Sequence, residues 1–161
     1  MFKKSIALPL LILSSFANAE VNINTSFGVF EITEGESIGI QKIQTYKLSN
    51  KVVGKSEWVG VDGKLLGLFD GANYLVLRGG TGGSGCAEVL SIVKISKDDV
   101  NFSPSLNACG GVENVEFNNG IVTVTALERD EKTRVKYTVN GEKILENGKN
   151  MLTKFGFLSN Q

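Results

Sequence analysis

Histidine is absent from the sequence, and cysteine, proline and tryptophan are scarce. The 161 residues include two cysteines, two prolines and one tryptophan. Without histidine, the commonest general base and the usual partner of a serine or cysteine nucleophile are missing, which excludes Ser-His triads. A zinc site needs three or four ligands, and two cysteines alone do not supply them. The composition therefore predicts no metal ion and no other cofactor, and it favours a protein that is not an enzyme.

Two kinds of catalysis without histidine stay open, namely a Ser-Lys dyad and a pair of carboxylates of the glycosidase type. Four glutamates could supply such a pair: Glu88, Glu113, Glu116 and Glu128. Their spacing does not distinguish them from carboxylates on the solvated face of a sheet. A carboxylate-based hydrolase is therefore the lesser alternative.

Long hydrophobic runs are also missing, and the nearest candidate lies at the N-terminus. Two lysines precede an apolar run at residues 6–13, and Ala-Asn-Ala follows at residues 17–19. This order of basic, apolar and small-x-small segments is typical of a cleavable signal peptide. A membrane anchor would need roughly 20 apolar residues, and Pro9 interrupts this run. We therefore predict a signal peptide at residues 1–19 and one exported domain at residues 20–161.

Such a leader predicts a periplasmic protein with no membrane insertion after cleavage. Removal of Lys3 and Lys4 leaves 15 basic residues against 17 acidic ones, a net charge of about −2. Nucleic acids and anionic membranes attract clustered lysine and arginine, so this balance speaks against both as partners.

Both cysteines, Cys86 and Cys109, lie in the exported part, where an oxidising compartment preserves disulfides. A bridge between them would stabilise the fold by about 3 kcal/mol, because it restricts the unfolded chain. A redox-active pair more usually has the Cys-x-x-Cys spacing, which these residues lack. One structural disulfide is predicted, and a metal site or a reactive thiol is the alternative.

Four Asx-Gly dipeptides separate short apolar runs, and each can supply the positive φ angles of a tight hairpin turn. They are Asp62-Gly63, Asp70-Gly71, Asn119-Gly120 and Asn140-Gly141. The runs predicted as strands lie at residues 57–61, 64–69, 74–78, 115–117, 121–127, 135–139 and 142–145. The series predicts an all-β fold, a single antiparallel β domain stapled by one disulfide and arranged as a sandwich or a barrel-like meander.

Two of these runs also predict their own burial. Val135, Tyr137 and Val139 alternate with polar residues, which is typical of a strand with one buried face. Residues 74–77 are apolar on both faces and indicate a central strand that is covered on both sides. Residues 86–95 come nearest to a helical pattern, but their β-branched side chains favour a strand, so we expect little helix.

The candidate binding site is the glycine-rich segment that follows the predicted central strand. It reads Arg78-Gly79-Gly80-Thr81-Gly82-Gly83-Ser84-Gly85-Cys86. One interpretation is an anion-binding nest with Arg78 at its edge. The phosphate-loop lysine and the βαβ dinucleotide fingerprint are both missing. The other interpretation is a flexible connection into the disulfide, because glycine loses much backbone entropy when it is ordered.

Two further residues complete the predicted binding surface. Trp58 is the only tryptophan, and a tryptophan serves either as a binding hot spot or as a core residue. Glu88 and Arg78 flank the glycine-rich segment with opposite charges. The predicted binding residues are Trp58, Arg78, Gly79, Gly80, Gly82, Gly83, Ser84 and Glu88.

Several motifs resemble a group of small exported proteobacterial proteins that are rich in β structure and have no characterised function. The matching residues are Gly82-Gly83-Ser84-Gly85-Cys86, Ser103-Pro104, Asn107-Ala108-Cys109, Val122-Thr123-Val124, Tyr137, Asn140-Gly141 and Glu146-Asn147-Gly148. The match covers residues 70–148, and the cysteine loop is its most specific part. The resemblance implies an exported fold with a disulfide and brings no established chemistry.

These features together predict a non-catalytic periplasmic protein that binds another protein of the envelope. A small β domain with a disulfide presents rigid loops at a low ordering cost. This favours an inhibitor or immunity protein that blocks an envelope hydrolase or toxin. A structural or ligand-binding envelope protein is the alternative, because a fold of this kind does not by itself fix a function.

Overall fold

A computed structural model describes residues 21–38, 41–82 and 86–151. Fourteen strands and no helix lie in these residues, which confirms the predicted all-β class. No described segment is a helix of the length and hydropathy needed to cross a bilayer. The predicted signal peptide and two predicted binding residues, Gly83 and Ser84, lie outside the described residues. The strands are β1 (Val21–Thr25), β2 (Gly28–Ile38), β3 (Gln41–Leu48), β4 (Lys51–Ser56), β5 (Val59–Phe69), β6 (Ala72–Gly80), β7 (Val89–Ile95), β8 (Val100–Phe102), β9 (Leu106–Asn107), β10 (Gly111–Asn118), β11 (Ile121–Leu127), β12 (Arg134–Asn140), β13 (Lys143–Glu146) and β14 (Lys149–Asn150).

The strands form three antiparallel sheets, each built from strands that are consecutive in the chain. The N-terminal sheet has the order β1-β2-β3-β4, and the C-terminal sheet has the order β10-β11-β12-β13-β14. The middle sheet has the order β5-β6-β7-β8, and β9 also pairs with β7. The antiparallel meander is therefore confirmed, although none of these sheets closes into a barrel.

Two of the predicted hairpin turns lie where the sequence places them. Asp70 and Gly71 have φ angles of 47° and 68°, and Asn119 and Gly120 have φ angles of 49° and 77°. Positive φ at both central residues matches the right-handed twist of the strands that the turn joins. In the turn after β12, Asn140 still pairs with Lys143, so Gly141 (φ 59°) is the first turn residue. This turn therefore lies one residue later than predicted.

The prediction of a turn at Asp62-Gly63 is wrong. Both residues lie inside β5, where Asp62 pairs with Arg78 and Gly63 pairs with Leu77. A β-carbon at position 63 would lie 2.8 Å from Ile23 Cδ1 and 3.0 Å from Ile32 Cδ1. Gly63 is therefore required by the close packing of core side chains on the strand, and the two strands predicted around it are one.

Strand β6 lies at the centre of the middle sheet and contributes to two separate cores. Tyr74 and Val76 belong to the core shared with the C-terminal sheet, which we call core 1. Leu75 and Leu77 belong to the core shared with the N-terminal sheet, which we call core 2. Because successive side chains of a strand point to opposite faces, one apolar strand serves both cores. The prediction that residues 74–77 are covered on both sides is confirmed.

Two other burial predictions are also confirmed. Val135, Tyr137 and Val139 of β12 are buried in core 1, and the residues between them are not. Residues 86–95 contain β7, whose side chains contribute to both cores. Strands covered on both faces carry near-continuous apolar runs, which explains why this segment lacks a clear alternation.

The Ser103-Pro104 segment separates β8 from β9 and sets the path toward the second cysteine. Pro104 has no backbone N–H to donate, so the pairing with β7 is interrupted here. The Ser103 hydroxyl accepts a hydrogen bond from Ile92 N at 2.9 Å and donates one to Pro104 O at 2.9 Å. The buried serine therefore satisfies the strand backbone where the partner strand breaks.

Candidate functional site

The predicted disulfide is present between Cys86 and Cys109. Cys86 lies between β6 and β7 of the middle sheet, and Cys109 lies between β9 and β10. The bond therefore holds the end of the glycine-rich segment against the start of the C-terminal sheet.

The glycine-rich segment begins as ordered strand. Gly79 and Gly80 are the last residues of β6, and Gly82 has a φ angle of 74°, which favours glycine. Thr81 closes the base of the loop, because its hydroxyl donates to Cys86 O at 3.1 Å and accepts from Cys86 N at 3.3 Å. Thr81 was not among the residues predicted from the sequence to form the site.

Arg78 and Glu88 do not flank the loop as independent charges but form an ion pair. Arg78 Nε donates to Glu88 Oε1 at 2.6 Å, and the second carboxylate oxygen of Glu88 accepts from Val112 N at 3.0 Å. Glu88 thus joins β6 to β10 across the gap between the middle and C-terminal sheets. About 46% of the Arg78 side chain stays exposed, against 22% for Glu88.

An open cleft of about 590 Å³ lies beside this ion pair. Residues from the middle sheet and the segment before β7 line one side: Val59, Gly60, Asp62, Arg78, Gly79, Gly80, Ala87 and Glu88. Residues from the disulfide and the C-terminal sheet line the other: Cys109, Gly110, Gly111 and Glu131. Four of the predicted binding residues therefore meet in one cleft.

Glycine gives much of this cleft a surface of bare backbone. Gly60 has a φ angle of 61°, and a β-carbon added there would meet nothing within 4 Å. Gly111 has a φ angle of 107° and equally open space around it. Gly110 differs, because a β-carbon there would collide with Glu128 O. Two of these glycines therefore keep the cleft open, and the third allows two backbone segments to approach.

Trp58 lies beneath the cleft and not on its surface. Its side chain is 8% exposed and belongs to core 2, which confirms the core interpretation of this residue. A β-carbon on Gly79 would lie 3.2 Å from Trp58 Cβ and 3.3 Å from Trp58 Cε3. Any contribution of Trp58 to binding is therefore indirect, through its support of Gly79.

Glu131 reaches the cleft from the loop between β11 and β12. In this loop the Asp130 carboxylate accepts hydrogen bonds from Lys132 N at 2.9 Å, Thr133 N at 2.7 Å and the Thr133 hydroxyl at 2.6 Å. These bonds to Thr133 and Lys132 lower the pKa of Asp130. Glu131 N donates to Glu128 O at 2.9 Å, with Glu131 at a φ angle of 56°. Hydrogen bonds within the loop therefore fix the backbone on both sides of Glu131.

Asp62 and Glu131 line the cleft but were not among the binding residues predicted from the sequence. Asp62 carried a misleading signal, because Asp-Gly is a strong turn motif. Glu131 carried none, since only the pairing of the sheets brings its loop to Arg78. The closeness of Gly110 and Gly111 to Cys109 was the one signal that could have extended the predicted site.

The glutamates considered for carboxylate catalysis lie mostly outside the cleft. Glu113 accepts two hydrogen bonds from Arg134, at 2.7 and 2.9 Å, and this arginine lowers the pKa of Glu113. Glu116 accepts a hydrogen bond from Asn114 at 2.8 Å. Of these four acids, Glu88 alone lines the cleft, where it holds Arg78 and Val112.

No described group of three or more histidine, cysteine, aspartate or glutamate side chains is arranged to hold a metal ion. Comparison of the chain with protein-family models, with curated proteins and with solved structures finds no match. The resemblance to the exported proteobacterial proteins therefore stays a prediction.

Proposed function

We propose that this chain is an exported, non-catalytic binding protein of the inhibitor or immunity type. Its partner would be a hydrolase or toxin of the bacterial envelope. The observation that carries the proposal is the open cleft beside the disulfide, where two sheets leave part of one sheet face uncovered. The disulfide itself is compatible with an oxidising compartment such as the periplasm.

The lining of the cleft supports a protein partner over a small molecule. Small-molecule pockets are mostly apolar, with a few polar groups that fix orientation. This cleft has four charged side chains and five glycines, with Val59 as its one large aliphatic side chain. Val59 is 52% exposed. A charged, open surface around an exposed aliphatic residue is closer to a protein interface with a polar rim.

The structure around the cleft is rigid enough for an inhibitor. The disulfide and the Glu88 bridge tie the walls of the cleft together, and the Thr81 bonds close the β6–β7 loop beside them. A preorganised surface loses little conformational entropy when it binds. These links are present in the chain without a partner, and they support a binding surface of this preorganised kind.

Site-specific photo-crosslinking would test the proposal. The full-length chain is expressed in a bacterial host that exports it, with a photoreactive phenylalanine analogue at Val59 or, as the control, at Leu68, which is 58% exposed and lies elsewhere on β5. We expect a discrete envelope protein to be crosslinked from position 59 and not from position 68. Mass spectrometry of the recovered chain should show a start at Glu20. Retention of Met1, or identical crosslinks at both positions, would contradict the proposal.

A variant that blocks the cleft sterically tests the proposal through binding affinity. Ala87→Trp adds bulk at an exposed position of the lining, and Leu68→Trp is the matched control. Against the captured partner, we expect Ala87→Trp to weaken binding more than about tenfold with little change in melting temperature. The control should bind as the wild type does. Unchanged affinity of Ala87→Trp would remove the cleft from consideration.

A further inference from the structure

The charges that line the cleft do not balance. Of the described residues in its lining, Asp62, Glu88 and Glu131 are acidic and Arg78 alone is basic. The charge of Arg78 is matched by Glu88 in their ion pair. Asp62 and Glu131 therefore leave the cleft with an excess of negative charge.

Asp62 and Glu131 line the cleft from two different sheets. Asp62 belongs to β5 of the middle sheet, where it pairs with Arg78 in the strand register. Glu131 belongs to the loop that joins β11 to β12 in the C-terminal sheet. Both side chains are exposed, and neither takes part in the three salt bridges found among the described residues. The Asp62 carboxylate accepts a hydrogen bond from Gly63 N at 2.7 Å through one of its oxygens, so the other oxygen is the one that would meet a cationic group in the cleft.

The uncovered sheet face in the cleft suits a side chain that is carried by a segment of another polypeptide. Arg78 and Gly80 follow Val76 on the core 1 side of β6, but they lie where the cleft replaces the core. The open space around Gly60 and Gly111 lets another chain come close to the backbone. A volume of about 590 Å³ exceeds the roughly 300 Å³ of the smallest ligand pockets.

We infer that the cleft receives a lysine or arginine side chain from a protruding loop of the partner protein. The inference rests on the proposed function and specifies the chemistry of the partner. Asp62 and Glu131 attract the cationic head of that side chain. Glu88 does not add to this attraction, because its charge is neutralised by Arg78. Removal of Arg78 would release Glu88 and strengthen the attraction of the cleft for a cation.

Titration of the isotope-labelled mature protein with short peptides, followed by NMR, tests this inference. The probe is an end-capped Gly-Gly-Arg-Gly-Gly peptide, and the matched control carries glutamate in place of arginine. We expect the arginine peptide to shift the amide signals of Gly60, Gly79 and Gly111, and the glutamate peptide to leave them in place. About 0.5 M salt should weaken the effect, because exposed charges are screened.

Isosteric variants show whether the two carboxylates are responsible. The double variant Asp62→Asn/Glu131→Gln should bind the arginine peptide roughly 3- to 30-fold more weakly, as expected for two exposed ion pairs. Arg78→Ala should bind it more tightly. Glu142→Gln removes an exposed charge from the β12–β13 turn and should bind as the wild type does. No shift with the arginine peptide, equal shifts with both peptides, or unchanged binding by the double variant would overturn the inference.

Failure of this inference differs from failure of the proposed function. If a crosslinked envelope protein binds the double variant and the wild type equally well, the cleft is a binding site but the basic side chain is excluded. If position 59 captures nothing, the proposed function fails, and the peptide titration alone decides whether the cleft takes a cation.

Discussion

At one end of the middle sheet, the two faces of strand β6 meet different surroundings. On one face, Leu77 is buried in core 2, and Gly79 packs against Trp58 and Val61. On the other face, Arg78 and Gly80 line the cleft. Both pairs of residues belong to the last four positions of β6. The strand is still paired with β7 here, because Arg78 pairs with Leu90 and Gly79 pairs with Val89.

This difference shows that the cleft is a local gap and not a frayed end of the sheet. The core 2 face is sealed by a tryptophan that lies just before β5. Trp58 covers Gly79 on the sealed face, whereas Arg78 and Gly80 on the other face are left to line the cleft, and the disulfide holds the segment with Cys109 beside them. An open surface on a rigid support is suited to recognition, because the support does not have to be ordered during binding.

Trp58→Ala breaks the sealed face and has the largest expected effect. Removing a nearly buried tryptophan leaves a cavity, which costs about 3–5 kcal/mol of unfolding free energy. Urea denaturation followed by circular dichroism measures this loss without relying on the only tryptophan for signal.

Leu68→Ala is the control for Trp58→Ala. Leu68 is an apolar residue on β5 that is 58% exposed, so its removal should change stability by less than about 0.5 kcal/mol. If Trp58→Ala costs no more than this control, Trp58 does not seal the face, and the contrast between the two sides of β6 is wrong.

Cys109→Ser loosens the open face and has the second largest expected effect. The disulfide restricts the unfolded chain, so its loss should lower stability by about 2–4 kcal/mol. Urea denaturation of the wild type in a reducing agent should give the same value as the variant. Free thiols in the unreduced, folded protein would contradict the bridge.

Much of the fold follows from local patterns in the sequence. The turns at Asp70-Gly71 and Asn119-Gly120 and the strand at residues 135–139 depend on neighbouring residues alone, and the structure confirms them. Gly63 could not be interpreted in this way. Its role depends on Ile23 and Ile32 in another sheet, and no local pattern contains that contact.

Only the residues on one side of the candidate site could be predicted from the sequence. Arg78 and Glu88 stand at the two ends of the glycine-rich segment, so the chain itself brings them near the cleft. Glu131 reaches the same cleft because three sheets pack in a given order, which periodicity does not specify. The ion pair of Arg78 with Glu88 also weakens the interpretation of the glycine-rich segment as an anion-binding nest, because the positive charge of Arg78 is already neutralised.

The smallest expected effect is a loss of stability at alkaline pH, and it compares one tyrosine from each core. Tyr46 lies in core 2 with its hydroxyl 2.7 Å from Ser56 Oγ, and burial raises its pKa to about 12. Tyr137 lies in core 1 and donates to Asn107 O at 3.1 Å. Burial, with the nearby charges of Glu146 and Glu128, raises its pKa to about 12 as well.

Because the folded pKa of each tyrosine lies above its ordinary value of 10, the fold favours the protonated form. The resulting stability is fully present below about pH 10 and is lost as the pH rises through about 12. Phenolate absorbance should therefore appear at lower pH in the urea-unfolded protein than in the folded one. Tyr46→Phe and Tyr137→Phe should each flatten the fall of the urea midpoint over this range. If Tyr46 and Tyr137 titrate alike in the folded and the unfolded protein, neither hydroxyl is shielded from water. If Tyr137 alone titrates with an ordinary pKa, water reaches core 1 as well as the cleft.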